Sequence, residues 1–180
     1  MHDLKFNLIF LLSILFLASC QTNEPEWTEL FNGKDLTGWS ANQNPASFKV
    51  EDGLLIANGP ISHLFYSGDI NKGVFRNFEL KAMVKTDPSS NSGIVFHTQE
   101  QPYGPLLRGY EVQINNSYER QGDFQELKKT GSLYGIRNVY YQTVKDNEWF
   151  ELSFKVVENR CEVFVNGTKV VDYIQPDDPY

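Results

Sequence analysis

Hydrophobic and polar residues alternate along several short segments of the chain, with the period of two that is typical of β-strands. Residues 77–85 and 149–157 show it best, because every second residue there is apolar and most of the residues between are polar. These apolar faces are Phe78, Leu80, Ala82 and Val84 in the first segment, and Phe150, Leu152, Phe154 and Val156 in the second. Beyond residue 26 no segment of ten or more residues has helical spacing, so the pattern predicts an all-β fold.

Short turn sequences separate the predicted strands. Asp52-Gly53 divides residues 48–57 into two short segments and predicts a hairpin, because both central residues of such a turn favour positive φ. Glu158-Asn159-Arg160 and Asn166-Gly167 divide residues 149–171 into three strands, which predicts a meander. Many short strands with such turns are typical of a β-sandwich or jelly roll.

The first twenty residues have the pattern of an export signal. An apolar run from Phe6 to Leu17 is too short to span a bilayer permanently and has the length of a secretory signal core. Ala18, Ser19 and Cys20 follow it and resemble the bacterial lipobox, in which cleavage before the cysteine precedes lipid attachment. The sequence therefore predicts a signal peptide over residues 1–19 and lipidation of Cys20.

The predicted anchor sets the expected location and domain organisation. Residues 20–26 form the lipidated cysteine and a polar tether, and residues 27–180 are long enough for one domain with a sizeable core. The lipid bilayer is then a partner through Cys20, and the protein is expected in the cell envelope. Gln21 is not the aspartate associated with inner-membrane retention, which favours the outer membrane.

Composition excludes some classes of function. The formal net charge is -7 and acidic and basic residues are interspersed, so a nucleic-acid partner is not expected. Once Cys20 is modified, Cys161 is the only free thiol, and its place in an alternating segment predicts a half-buried strand residue rather than a nucleophile. No metal-ligand spacing is present, and the need for a divalent metal, assembled from distant residues, stays open.

One predicted strand has a polar second face without lysine or arginine. In residues 109–115, Tyr110, Val112 and Ile114 share one face, and Glu111, Gln113 and Asn115 share the other. In the neighbouring segment 91–98, alternation places His97 on the second face with Val95. This polar face predicts a binding surface, although Glu111 alone also fits a solvated carboxylate and His97 an ordinary hydrogen-bonding residue.

Aromatic residues near this face suit a carbohydrate ligand. Sugar rings offer apolar C–H faces for stacking and hydroxyls for hydrogen bonds, and tyrosine can satisfy both. The tyrosines nearest in sequence are Tyr103, Tyr110, Tyr134, Tyr140 and Tyr141.

Five motifs in a fixed order carry a family resemblance. They are residues 30–39 (LFNGKDLTGW), 91–94 (NSGI), 109–114 (GYEVQI), 131–135 (GSLYG) and 165–167 (VNG). From Trp27 onward the chain resembles the 3-keto-disaccharide hydrolase domain family. The resemblance implies a concanavalin A-like jelly roll, related in fold to glucanases and laminin G modules. It also implies cleavage of glycosides or disaccharides whose sugar carries a ketone at C3, with a sugar 3-oxidoreductase in the same pathway.

The chemistry of such a substrate suggests roles for the residues. A C3 ketone acidifies the C2 proton, so a base can form an enolate that expels the C1 group, after which water adds. Glu111 or His97 is the candidate base, and Asn91, Gln113 or a metal would polarise the ketone. Direct hydrolysis needs two carboxylates, and only Glu111 reads as a core carboxylate, which favours elimination and hydration. Tyr134 and Tyr110 are the further candidate substrate-binding residues.

The sequence ends earlier than the family resemblance leads us to expect. Family members continue beyond a segment like Val171-Asp172-Tyr173 into further strands, whereas this sequence ends at Tyr180. Either the sequence is truncated or the protein lacks those strands, which would leave a sheet edge unpaired.

A noncatalytic carbohydrate-binding module of the same fold is the alternative to an enzyme, and a structural or adhesion lipoprotein is a third class.

Overall fold

The computed structural model describes residues 26–104, 106, 108–119 and 125–177. The predicted signal peptide, Cys20 and the tether up to residue 25 lie outside these residues. Within the described ranges, no helix is long and apolar enough to cross a membrane.

The described chain consists of short strands joined by turns, with two single 3-10 turns at Pro45–Ser47 and Ile70–Gly73. In chain order the strands are β1 (Trp39–Ala41), β2 (Phe48–Glu51), β3 (Leu54–Ala57), β4 (Leu64–Tyr66), β5 (Phe78–Val84), β6 (Ser92–Phe96), β7 (Tyr110–Ile114), β8 (Phe150–Val157), β9 (Arg160–Val165) and β10 (Thr168–Ile174). The predicted all-β, concanavalin A-like jelly-roll sandwich is confirmed.

The largest sheet has four antiparallel strands in the order β10-β9-β8-β5. The predicted C-terminal meander forms its β8-β9-β10 part, and residues 78–84 pair with residues 150–156 along the whole of β5. Alternation holds as predicted, because the inward residues of β8 are buried and those of β5 pack against the core. Phe154 in this sheet is 0 % exposed.

β6 and β7 form a second, antiparallel layer that packs on the first. Phe96 and Val112 are buried in the core between the layers. The Phe96 ring lies 5.3 Å from that of Phe154 and 5.9 Å from that of Phe78, which joins the two sheets through aromatic contacts. Since side chains alternate across a strand, Glu111 lies on the face of this layer that points away from the core.

Two further hairpin-like pairs, β1-β4 and β2-β3, complete the described sheets. The predicted hairpin over residues 48–57 is confirmed, with Asp52 at φ 50° and Gly53 at φ 78° in its turn. Cys161 lies in a strand as predicted but is buried rather than half-buried, and burial raises the pKa of its thiol to about 12, so it stays protonated and unreactive at neutral pH.

Candidate active site around Glu111

Glu111 occupies the middle of the outer face of β6 and β7. It pairs across the ladder with Val95, and its side chain leans over Gly93 on the neighbouring strand. A Cβ atom on Gly93 would lie only 2.6 Å from Cγ of Glu111 and would overlap its carboxylate. The glycine in the 91–94 motif therefore leaves the space that the Glu111 carboxylate occupies.

The segment after residue 128 lies along the other edge of β7. The Tyr134 backbone N–H donates to the carbonyl of Glu111 at 2.9 Å, and the Gly131 N–H donates to that of Gln113 at 3.0 Å. At Asn115, the carbonyl accepts from the Thr130 N–H at 2.9 Å and the side chain donates to the Lys128 carbonyl at 3.0 Å. These bonds bring residues 126–134 beside Glu111.

This arrangement changes the meaning of the polar face. Gln113 is 1 % exposed and Asn115 is 0 % exposed, so neither side chain forms an open surface. The expectation of a three-residue binding surface is therefore wrong for these two, because both side chains are buried, with Gln113 bonded to Asn91 and Asn115 to the Lys128 carbonyl. Glu111 is only half-buried and is the one of the three that a ligand can reach.

Three side chains beside Glu111 form a compact cluster. Glu126 is 6 % exposed, and its Oε1 accepts from the Lys128 backbone N–H at 3.0 Å and from Lys128 Nζ at 3.1 Å. Its Oε2 accepts from the Tyr134 hydroxyl at 3.0 Å, and Lys128 Nζ lies 4.5 Å from the centre of the Tyr134 ring. Burial alone would raise the pKa of Glu126, but these hydrogen bonds outweigh it and hold the pKa below its ordinary value.

Glu111 has the opposite electrostatic environment. Burial raises the pKa of its carboxyl, and the negative charge of Glu126 raises it further. Among the described residues, no donor forms a hydrogen bond with the Glu111 carboxylate. A half-buried carboxylate that has a raised pKa and accepts no hydrogen bond from the described residues is suited to accept and return a proton.

Asn91 and Gln113 lie on the other side of Glu111. Gln113 Nε2 donates to Asn91 Oδ1 at 2.7 Å, and Asn91 itself is exposed. Since Gln113 is buried, its contribution is to orient Asn91 rather than to touch a ligand. The Asn91 side-chain amide is the group of this pair that a ligand can reach.

His97 does not join this site, and the expectation that it shares a face with Glu111 is wrong. Its backbone has φ 53°, which ends β6 at Phe96 and breaks the alternation that the sequence suggests. The exposed His97 ring lies 5.2 Å from the Phe96 ring and 6.5 Å from the Tyr110 ring, and its Nε2 is 3.2 Å from the Arg76 carbonyl.

Tyr110 also faces away from Glu111. Its ring stacks on Phe96 at 5.3 Å, and its hydroxyl donates to the side chain of Gln175. This contact joins β7 to the end of β10, so the Tyr110 side chain packs against these residues rather than beside Glu111. Of the two candidate tyrosines, only Tyr134 lies beside Glu111.

An open groove of about 340 Å³ lies beyond the ends of β6 and β7. It is lined by polar and charged side chains of the connecting loop: His97, Thr98, Gln99, Glu100, Gln101 and Arg108. No three His, Cys, Asp or Glu side chains in the described residues are placed to hold a metal ion.

Glu126 and Lys128 are the residues that sequence reasoning missed. The statement that Glu111 is the only core carboxylate is wrong, because Glu126 is more deeply buried. Residues 125–129 have no β alternation, so no pattern in them indicates burial. The one feature that could have indicated Glu126 and Lys128 is their position immediately before the 131–135 motif.

Replacing Gly93 with alanine tests the placement of Glu111. The new methyl group displaces the flexible carboxylate, and a shift of about 1 Å in a reacting group can lower activity about 10²-fold. We expect that loss with little change in the free energy of unfolding. Ser92→Ala, an exposed neighbour on β6, is the control and should leave activity unchanged.

The raised pKa of Glu111 makes stability depend on pH. The folded state favours the protonated carboxyl, so the group's contribution to stability is complete at acidic pH and is lost as pH rises through its folded pKa. In the Glu111→Gln variant the side chain cannot ionise, so this loss of stability with rising pH does not occur. The variant should therefore exceed the wild type in unfolding free energy at neutral pH and not at acidic pH. Urea unfolding of both proteins across this pH range measures it, and an equal difference at every pH would contradict the assignment.

Comparisons with known proteins agree with this fold. A family model described as a 3-keto-alpha-glucoside-1,2-lyase-like domain matches residues 26–180. Two crystal structures of candidate glycosyl hydrolases from Parabacteroides distasonis are similar to the chain, with TM-scores of 0.71 and 0.66 and sequence identities of 27% and 29%. Each match covers 84% of this chain and 73% of the other. No curated protein matches the sequence. Since the family model spans nearly the whole described domain, the chain belongs to the 3-keto-alpha-glucoside-1,2-lyase-like domain family.

Proposed function

We propose that this protein cleaves glycosides or disaccharides whose sugar carries a ketone at C3, with Glu111 as the base. The family match and the two glycosyl hydrolase-like structures support a glycoside-related enzyme. The observation that carries the finer proposal is the half-buried Glu111 carboxylate, which has a raised pKa and no hydrogen-bond donor among the described residues.

The reaction begins with proton transfer. Glu111 takes the proton from C2, and the C–H electrons form an enolate between C2 and the C3 oxygen. The enolate then re-forms the ketone, makes a C1=C2 double bond and breaks the bond from C1 to the leaving oxygen. Protonated Glu111 returns the proton to that oxygen. If water then adds across C1=C2, the net reaction is hydrolysis. If the unsaturated sugar is released instead, the enzyme acts as a lyase.

The enolate needs a partner for its negative charge. The Lys128 ammonium is bound to Glu126, the residue whose charge acts on Glu111, and this carboxylate keeps Lys128 protonated. Asn91 offers an amide donor on the other side of Glu111. A cation stabilises a full negative charge more strongly than an amide, so Lys128 is assigned to the C3 oxygen and Asn91 to a sugar hydroxyl.

Replacing Lys128 with methionine tests that assignment. The methionine keeps much of the apolar stem but removes the charge, so we expect kcat to fall by about 10²–10³-fold, as when one oxyanion donor is removed. The adjacent Lys129, whose Nζ donates to the Tyr118 carbonyl at 3.2 Å, is the matched control. Lys129→Met should keep wild-type kcat, and equal losses in the two variants would contradict a specific role for Lys128.

Direct hydrolysis by two carboxylates is the competing mechanism. Glu126 is a second carboxylate, but both of its oxygens already accept hydrogen bonds and its pKa is low. The low pKa makes Glu126 a poor proton donor, and the hydrogen bonds from Lys128 and Tyr134 occupy the oxygens that would attack C1. The cluster favours elimination, with Glu126 holding Lys128.

Isotope incorporation from solvent distinguishes these routes. The protein is incubated in D2O with a 3-keto-glucoside, and the C2 position of product and recovered substrate is examined by NMR. Elimination followed by hydration places deuterium at C2 of the product, whereas direct hydrolysis keeps hydrogen there. Free 3-keto-glucose incubated alone corrects for spontaneous exchange. Binding of the sugar without cleavage or exchange would overturn the enzyme proposal in favour of a noncatalytic carbohydrate-binding module.

We also propose that the enzyme is exported and anchored in the cell envelope, by lipid on Cys20. The signal-like apolar run and the following Ala18-Ser19-Cys20 support this. A sugar 3-oxidoreductase must supply the substrate, because an ordinary glycoside has a hydroxyl at C3 and no acidic C2 proton.

A further inference from the structure

A patch of two tryptophans, a methionine and two lysines lies on the outer face of β5 and β8. Trp27, Met83 and Trp149 are 46%, 60% and 48% exposed. Lys81 Nζ lies 5.0 Å from the centre of the Trp27 ring, and Lys85 Nζ lies 5.4 Å from that of Trp149. We call these five residues the tryptophan face.

The composition of the tryptophan face matches a membrane interface. Tryptophan is enriched where a bilayer meets water, because its ring is apolar and its N–H is polar. Lysines near an anionic leaflet are attracted by its negative surface potential. Glu151, opposite Met83 on β8, is an acidic neighbour, and it pairs with Lys81 at 3.5 Å. Lys85 contacts Trp149 and adds positive charge to the face.

The tryptophan face and Glu111 are on opposite sides of the sandwich. Phe78 and Phe154 point inward from the first sheet and meet Phe96 from the second. Lys81 points outward from the first sheet, and Glu111 points outward from the second. A surface in contact with the tryptophan face would therefore leave Glu111 on the far side.

The predicted anchor lies close to the tryptophan face along the chain. Six residues separate Cys20 from Trp27, so the fully extended chain between the two Cα atoms reaches about 25 Å at most. A domain of this size is about 40 Å across. A lipid on Cys20 thus keeps the Trp27 side near the bilayer, because the tether is shorter than the domain.

We propose that the tryptophan face lies against an anionic phospholipid bilayer and orients the Glu111 face away from the membrane. This inference rests on the proposed lipidation of Cys20 and not on the proposed reaction. The orientation would leave the active-site face open to soluble sugars.

Quenching by brominated lipids tests which side faces the bilayer. The full-length lipidated protein is reconstituted in phosphatidylglycerol-containing vesicles, with and without bromine on the acyl chains. Trp39→Phe keeps the two tryptophans of the face, whereas Trp27→Phe/Trp149→Phe keeps only Trp39, whose Nε1 donates to the Leu30 carbonyl. We expect brominated lipid to lower the emission of the first variant and not that of the second. Unchanged emission in both, or equal quenching in both, would overturn the inference.

Charge reversal provides the second measurement. Lys81→Glu/Lys85→Glu in the Trp39→Phe protein should lose the quenching, and Lys34→Glu/Lys72→Glu, on exposed loops, should keep it. Cleavage of a 3-keto-glucoside is assayed on the same samples. Absent quenching with intact cleavage rejects the orientation alone, and intact quenching without cleavage rejects the reaction alone. Mass spectrometry that finds Cys20 without lipid removes the tether argument and overturns the inference.

Discussion

Replacing Glu111 with glutamine is expected to lower kcat for cleavage of a 3-keto-glucoside by about 10²–10⁴-fold, the usual contribution of a positioned general base. Glutamine has nearly the same shape as glutamate, so the sugar should still bind, but the amide cannot accept the C2 proton. Exchange of the C2 proton with D2O should be lost together with cleavage. Release of the aglycone and deuterium incorporation, measured on one sample, give both quantities.

The matched control is Glu79→Gln on β5, where the carboxylate is exposed and lies opposite Lys155. This variant removes the same charge from the other sheet and should keep wild-type kcat. Near-normal cleavage by the Glu111→Gln protein would contradict the assignment of Glu111 as the base. Cleavage that persists without C2 exchange would instead indicate direct hydrolysis.

Replacing Phe154 with alanine is expected to cost about 3–5 kcal/mol of unfolding free energy. The side chain is 0 % exposed and contacts the rings of Phe78 and Phe96 at 5.8 Å and 5.3 Å, so its removal leaves a cavity between the sheets. Domains of this size have about 5–15 kcal/mol of stability in total, so the loss would be a large part of it.

Urea unfolding monitored by fluorescence and circular dichroism measures this loss. Val157→Ala, on the same strand but 44% exposed, is the control and should change the free energy of unfolding by less than about 1 kcal/mol. A Phe154→Ala protein as stable as the control would show that the two layers do not depend on this aromatic contact.

Much of the fold follows from the sequence because the β pattern is local. The pleat repeats every two residues, so the apolar faces of β5 and β8 could be assigned by reading along the chain. The turns at Asp52-Gly53 and Asn166-Gly167 also depend on adjacent residues only, and both form as predicted. The position of Glu111 on an outer face follows from the same rule.

The pairing of segments distant in the chain could not be obtained in this way. Glu126 and Lys128 become part of the site because residues 125–134 run along the edge of β7, and nothing in their own pattern indicates that path. Gln113 and Asn115 are also buried, although their polarity alone suggested an open surface.

His97 shows where a local rule fails. Alternation places it beside Glu111, but one positive φ at the end of β6 turns its ring toward Phe96. The sequence by itself determined the strands, the core faces and Glu111, because these depend on short-range periodicity. Only the tertiary structure decided which charges surround Glu111 and which polar residues are buried, because those depend on how separate segments pack.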